Sequence, residues 1–283
     1  MSFDANAYRD VSLRSWEEAA PGWLRSQELL RKFGAPVSRW LIDAIDPQRG
    51  QSVLELAAGL GETGLLAAQL VAPIGATIIS DQAEAMLAGA RERALELGLS
   101  NVELRVLNAE WIDLPVASVD AALCRWGYML MADPAAALSE TRRVLRPGGR
   151  LALAVWDALE RNPWARLPAR ELIERGLSAP PEAGAPGPFA LGSSERVLAL
   201  LEQAGFAEGR VETLALWRRH VSFEELWEST LDLSRSFHDV VLARPQPEIE
   251  EIKASLASRF EPYLTAEGGL AVPAQTLVAS ATA

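Results

Sequence analysis

The stretch Val53–Gly64 reads VLELAAGLGETG, an apolar segment with one carboxylate, Glu55, that runs directly into a glycine-rich turn. Gly59, Gly61 and Gly64 have the G-x-G-x-x-G spacing of a nucleotide-binding loop. A chain that passes from a buried strand into a helix while a ligand approaches its main chain needs positions without a Cβ, and glycine supplies them. The motif points to a bound nucleotide-like cofactor. It does not choose among cofactors, because several enzyme classes use the same loop.

Outward from this loop the chain alternates. Strands are predicted at 53–57, 76–80, 102–107, 119–124 and 150–156, with helices at 62–71, 83–97 and 134–145 among them. That is the pattern of a doubly wound parallel sheet. Asp133-Pro134 offers an N-cap and a first-turn proline, and Pro147-Gly148-Gly149 a helix stop. Upstream, apolar residues from Leu29 to Ile45 recur at helical spacing, and Trp16 and Trp23 flank an expected break at Pro21-Gly22. Downstream, Pro180 to Pro188 is too rich in proline and glycine for a core element and reads as a surface loop or lid. A helix at 194–204 and a strand at 210–221 follow. A Ser222/Glu225 capping box then opens a helix to about Asp239, Pro247 opens another, and a last apolar segment covers 270–281.

Composition narrows the function classes. A chain of 283 residues with 49% hydrophobic content can bury a large core, which excludes a disordered or fibrous protein. The net charge of −11 and the lack of any basic run argue against a nucleic-acid partner. No apolar run reaches the roughly 18 residues a membrane span needs, and the first residues do not resemble a signal peptide, so a cytoplasmic location without membrane insertion is expected. One cysteine, Cys124, and two histidines, His220 and His238, offer no metal-ligand cluster, so no metal is expected.

In an open α/β sheet ligands cross the carboxyl ends of the strands, so residues there are the candidates. Asp81, with Gln82 after it, closes the second strand, where a carboxylate can accept from two ribose hydroxyls; the alternative is a D-x-x-E helix cap with Glu84. Asn108 closes the third strand, followed by Ala109 and Glu110. Its amide can accept from an adenine amino group, or it can stabilise a turn.

Taken together, these residues resemble a class I S-adenosylmethionine-dependent methyltransferase of the small-molecule type related to the ubiquinone and menaquinone methyltransferases. The likeness covers roughly residues 10 to 220 and includes RRVLRPGGRLALAVW, Arg142–Trp156. It implies a Rossmann-like, mostly parallel seven-stranded sheet with an antiparallel last strand, preceded by N-terminal helices and elaborated by helical cap insertions. It also implies S-adenosyl-L-methionine as cofactor, with Glu55, Gly59 and Gly61 at its methionine end, Asp81 at the ribose, and Asn108 and Ala109 at the adenine. Asn108 departs from the aspartate more common in the family. Trp23 resembles a family position that closes over the cofactor, though core packing is the alternative.

The implied reaction is in-line displacement of the methyl group onto a small acceptor, which needs alignment and exclusion of water more than a dedicated base. The weak candidates for a base are His220 and His238. Arg125 can meet the cofactor or a substrate acid, or form a surface ion pair. Among nine tryptophans, Trp126 and Trp156, with Tyr128, are candidates to wall an aromatic or hydrophobic acceptor. Residues 1–50 are read as a segment closing over the cofactor and 51–283 as the sheet domain, with caps at 157–205 and 222–266 on the substrate side. A homodimer is compatible with the sequence. Two other readings use the same loop: a protein that binds S-adenosylmethionine without methyl transfer, and a nicotinamide-dependent oxidoreductase, which Glu55 inside the strand disfavours.

Overall fold

The computed structural model describes residues 3–182 and 184–283. Among them, seven strands form one sheet: β1 (Ser52–Glu55), β2 (Ala76–Asp81), β3 (Val102–Val106), β4 (Val119–Arg125), β5 (Leu145–Trp156), β6 (Ala207–His220) and β7 (Leu270–Thr282). Their order across the sheet is β3-β2-β1-β4-β5-β7-β6. β1 pairs in parallel with β2 and β4, β2 with β3, and β4 with β5, whereas β7 runs antiparallel to both β5 and β6. The doubly wound sheet with an antiparallel last strand is as the sequence led us to expect. Chain order reverses between β1 and β4, which is where such sheets open a crevice for ligands.

Local chemistry explains where the helices start. In α1 (Ala5–Arg25) the Asp4 carboxylate accepts from Asn6 and Ala7 N–H, and in α5 (Pro134–Val144) Asp133 accepts from Ala136 N–H while Pro134 occupies the first turn. Ser193 caps α7 (Ser194–Gln203) and Ser222 caps α8 (Phe223–Leu233). The Glu225 carboxylate reaches back to the N–H of Val221, 2.7 Å away, one residue earlier than a standard capping box. α3 (Glu62–Val71) and α4 (Glu84–Glu96) follow β1 and β2 and pack on the sheet.

Several boundaries differ from expectation. Pro21-Gly22 does not break α1; the helix continues to Arg25, and the change of direction falls at Ser26, before α2 (Gln27–Ile45). The helix expected from Ser222 to Asp239 divides at the extended Ser234 into α8 and α9 (Arg235–Leu242). β5 begins at Leu145 and carries Pro147-Gly148-Gly149 as an irregularity where its register with β4 shifts.

Of four apolar clusters among the described residues, two are large, and smaller ones pack α3 and α4 on β2 and α1 on the first loop. The main one unites β1, β4, β5 and β7 with α2, α5 and α7. The second gathers α6 (Pro163–Glu174), α8, α9 and α10 (Gln246–Phe260) against Leu270 and Val272 of β7. Helices α8 to α10 of residues 222–266 thus share a core with α6 and the start of β7. Within 157–205, Val197, Leu200 and Leu201 bury α7 in the main core instead, where it serves as the crossover between β5 and β6.

Candidate functional site

The loop after β1 is braced from below. Glu55 is 1% exposed, and its Oε2 accepts from the Gly64 N–H at 2.8 Å. A Cβ on Gly64 would stand 2.4 Å from that oxygen, so this glycine is required for the carboxylate to reach the helix start. Burial pushes the Glu55 carboxyl up to about 7, against the opposing pull of Arg125 and of the Gly64 N–H.

Asp81 ties the second strand to the same loop. Its Oδ2 accepts from Gly59 N–H at 2.8 Å and its Oδ1 from Ala83 N–H at 3.0 Å. Burial pushes its carboxyl above the ordinary range, and these two N–H groups with that of Gln82 pull it down. Each oxygen retains a further lone pair, and the group borders an internal cavity. The helix-cap alternative is only partly realised, since the N–H groups of Glu84 and Ala85 are taken by Glu17 of α1.

That cavity, about 120 Å³, lies over the strand ends of β1 to β4. Ala57, Ala58 and Gly59 come from the first loop, Asp81 and Gln82 from the second, Asn108 to Glu110 from the third, and Arg125, Trp126 and Gly127 from the fourth. Ala57 and Trp126 both adopt left-handed backbone (φ 49° and 62°), a costly conformation for residues with a Cβ and one that clusters at functional sites. Arg125 reaches α2 through the space left by Gly34, where a Cβ would meet its Nη1 at 1.8 Å, and its guanidinium carbon lies 5.0 Å from the Trp126 ring centre. Burial lowers its pKa, with Glu55 and Glu62 opposing.

α1 roofs the cavity. Tyr8, Arg9, Ser12, Trp16 and Trp23 face it, and Trp23 Nε1 is buried without a partner. Tyr8 Oη donates to Leu130 O at 2.8 Å and Gln82 Nε2 to Ser12 Oγ at 3.2 Å. Arg9 Nε donates to Glu110 Oε2 at 3.0 Å, and its guanidinium covers the Trp111 ring. Outside Arg9 a second recess of about 420 Å³ shares Gln82, Leu107 and Asn108 with the first. Sequence reasoning named Trp23 of this roof but not Tyr8, Arg9, Ser12 or Trp16, although Tyr8, Ser12 and Trp16 recur four apart, one face of a helix.

The remaining candidates divide. Trp23, Gly59, Asp81, Gln82, Asn108, Ala109, Glu110, Arg125 and Trp126 meet at the cavity. Glu55 is not among the lining residues: its side chain is 1% exposed and its Oε2 accepts from the Gly64 N–H. Gly61 instead packs on Ala90 and Ile79. Asn108 Oδ1 accepts from Glu110 N–H at 2.8 Å, the turn-stabilising alternative. Glu110 is occupied by Arg9 and by Ala132 N–H. Tyr128 is fully buried with its hydroxyl 2.7 Å from Thr141 Oγ1, and Trp156 stacks behind Trp126 at 4.4 Å, so neither lines the cavity. His220 is buried at the end of β6, held neutral by burial and by Arg218, which take its pKa to about 4. His238 pairs with Asp239 on α9, and neither histidine borders the cavity. Among the described residues, no group of three or more His, Cys, Asp or Glu could hold a metal, and no helix is long and apolar enough to cross a membrane.

Comparison with known proteins adds the following. A family described as a methyltransferase domain matches residues 47–203. The chain is 37% identical over 114 residues to the ubiquinone/menaquinone biosynthesis C-methyltransferase of Escherichia coli, covering 40% of this chain and 45% of that protein. It is 35% identical over 160 residues to an uncharacterised 37.1 kDa protein in transposon TN4556 of Streptomyces fradiae, covering 55% and 46%. The chain thus spans about half the length of the curated relatives it matches. Among solved structures, the YcgJ protein of Bacillus subtilis has the same fold, with a TM-score of 0.58 at 18% identity over 87% of this chain and 97% of that one.

Proposed function

This chain belongs to the methyltransferase domain family, and from that premise we propose that it transfers a methyl group from S-adenosylmethionine to a small acceptor by in-line displacement. The observation that carries the reading is the meeting of four strand-end loops on one cavity at the reversal point of the sheet.

The residues present fit the cofactor. The Asp81 carboxylate, an acceptor-only group anchored to Gly59 and Ala83, suits a ribose diol. Asn108 and Ala109 flank the adenine position, and Gln82 stands between the two. Arg125 suits the carboxylate of the methionine end, and the orphaned Trp23 Nε1 is a further donor at the cavity. S-adenosylmethionine supplies a methyl group on a sulfonium, a leaving group good enough that the protein's share is alignment and exclusion of water. Trp126 stands on the acceptor side of the cavity, and neither His220 nor His238 borders it to act as a base.

The cavity of about 120 Å³ is below the roughly 300 Å³ at which ligand clefts begin. Arg9 borders both this cavity and the outer recess of about 420 Å³, so its displacement would join the two beneath α1 into a cleft large enough for the cofactor. The test is incubation with S-adenosylmethionine and a panel of phenols, quinols and amines, followed by mass spectrometry. Stoichiometric S-adenosylhomocysteine and methylated product support the reading; cofactor binding with no release across the panel favours binding without transfer.

A further inference from the structure

Several half-buried arginines, Arg125, Arg142, Arg166, Arg218 and Arg244, have no ion-pair partner among the described residues, and of these Arg218 lies between two aromatic rings. Arg9, Arg143, Arg175 and Arg259 each meet a carboxylate: Glu110, Glu140, Glu171 and again Glu171. In a chain with 38 acidic and 27 basic residues this is the expected arrangement, yet the Arg218 guanidinium lies between two aromatic rings, 5.4 Å from Phe33 and 4.6 Å from Trp164. Burial alone shifts it, lowering its pKa to about 10, with no acid opposing.

The rings around it belong to a pre-set wall. Trp126 and Trp156 stack at 4.4 Å, Trp156 and Trp164 lie 4.9 Å apart, and Phe33 is 5.9 Å from both Trp126 and Trp156. Two of the indoles are pinned: Trp126 Nε1 donates to Thr276 Oγ1 at 3.0 Å, and Trp164 Nε1 to Asn162 Oδ1 at 2.9 Å. Asn162 is fully buried, and its Nδ2 donates to the carbonyls of Asp157, Ala158 and Gln275. Phe33, Trp126 and Trp164 remain only half-buried, and Trp126 is also a wall of the cofactor cavity. The aromatic surface therefore runs from the cavity to an unpaired cation.

We propose that this surface is the acceptor site, and that the acceptor is a flat aromatic acid whose ring lies on the Phe33–Trp126–Trp164 wall and whose carboxylate is received by Arg218. The inference rests on the methyl-transfer reading for the word acceptor; recognition of an aromatic acid does not depend on it.

The test is calorimetric titration of the intact protein with 2-naphthoate and with 2-naphthamide, which share a ring system and differ in charge. The acid should bind about ten-fold tighter, as a charged hydrogen-bonded contact gives. In Arg218→Met that preference should vanish, and in Arg218→Lys part of it should remain, while S-adenosylhomocysteine affinity is unchanged in both. Equal binding of acid and amide, failure of both at millimolar concentration, or a preference that survives in Arg218→Met would overturn the assignment. If Arg218→Met does not fold, the acid-to-amide ratio in the native protein and in Arg218→Lys decides. Loss of S-adenosylhomocysteine binding by the native protein sinks the methyl-transfer reading instead, so the two failures are told apart.

Discussion

Asp81 and Glu55 are both buried carboxylates at strand ends, yet the structure gives them different work. Asp81 spends one lone pair of each oxygen on the loop and faces the cavity with the rest, so Asp81→Ala should weaken S-adenosylmethionine binding about 100-fold, read as Kd by calorimetry. An unchanged Kd would reduce Asp81 to a loop brace. Glu55 braces the loop through Gly64, and its burial has a consequence for pH. Its folded pKa of about 7 lies above the ordinary 4.5, so the folded state holds the proton more tightly. The stability this provides is complete below pH 4.5 and is lost as pH rises through 7. Glu55→Gln keeps an acceptor for Gly64 and removes the titration, so its melting temperature relative to the native protein should climb between pH 5 and pH 8, by the equivalent of about 2 kcal/mol. A flat difference would contradict the assignment. The acid in the strand was legible from the sequence. Its inward direction was not, because it depends on which face of a short strand meets Gly64.

At the scale of elements, α1 joins parts of the molecule that are distant in sequence. Glu17 caps the start of α4, Arg9 holds Glu110, and Arg25 and Ser26 meet Asp232 at the end of α8. The helix spans the cavity between sheet and cap, and several of its ties are ionic. Arg9→Gln removes one tie at the recess and should speed cofactor association, followed by stopped-flow quenching of Trp16 and Trp23 fluorescence. A gain of about two- to ten-fold is expected, shrinking as salt screens the native pair. An association rate equal to that of the native protein would show that α1 does not gate entry. The helices themselves were legible from apolar periodicity and caps. Trp23 and the closing segment were legible by resemblance; Tyr8, Ser12 and Trp16 were not, because they gain meaning only once α1 crosses the strand ends.

For the whole molecule, the order of strands did most to place the site. Alternating strands and helices from Val53 to Trp156 made the doubly wound sheet readable, and the reversal between β1 and β4 locates the cavity. The cap was harder to read, because α7 carries the same amphipathic pattern as α6 and only its packing on α5 and β6 assigns it to the sheet. The wall of tryptophans was equally hidden: Phe33, Trp126, Trp156 and Trp164 come from α2, the β4 loop, β5 and α6, and no spacing announces that they stack. The account as a whole stands on the identity of the nucleotide-like ligand. Calorimetric titration of the native protein with S-adenosylmethionine, S-adenosylhomocysteine and NAD tests it most directly. Saturable binding of both sulfur compounds at one site, with no heat from NAD, is the predicted result; binding of NAD alone would contradict it.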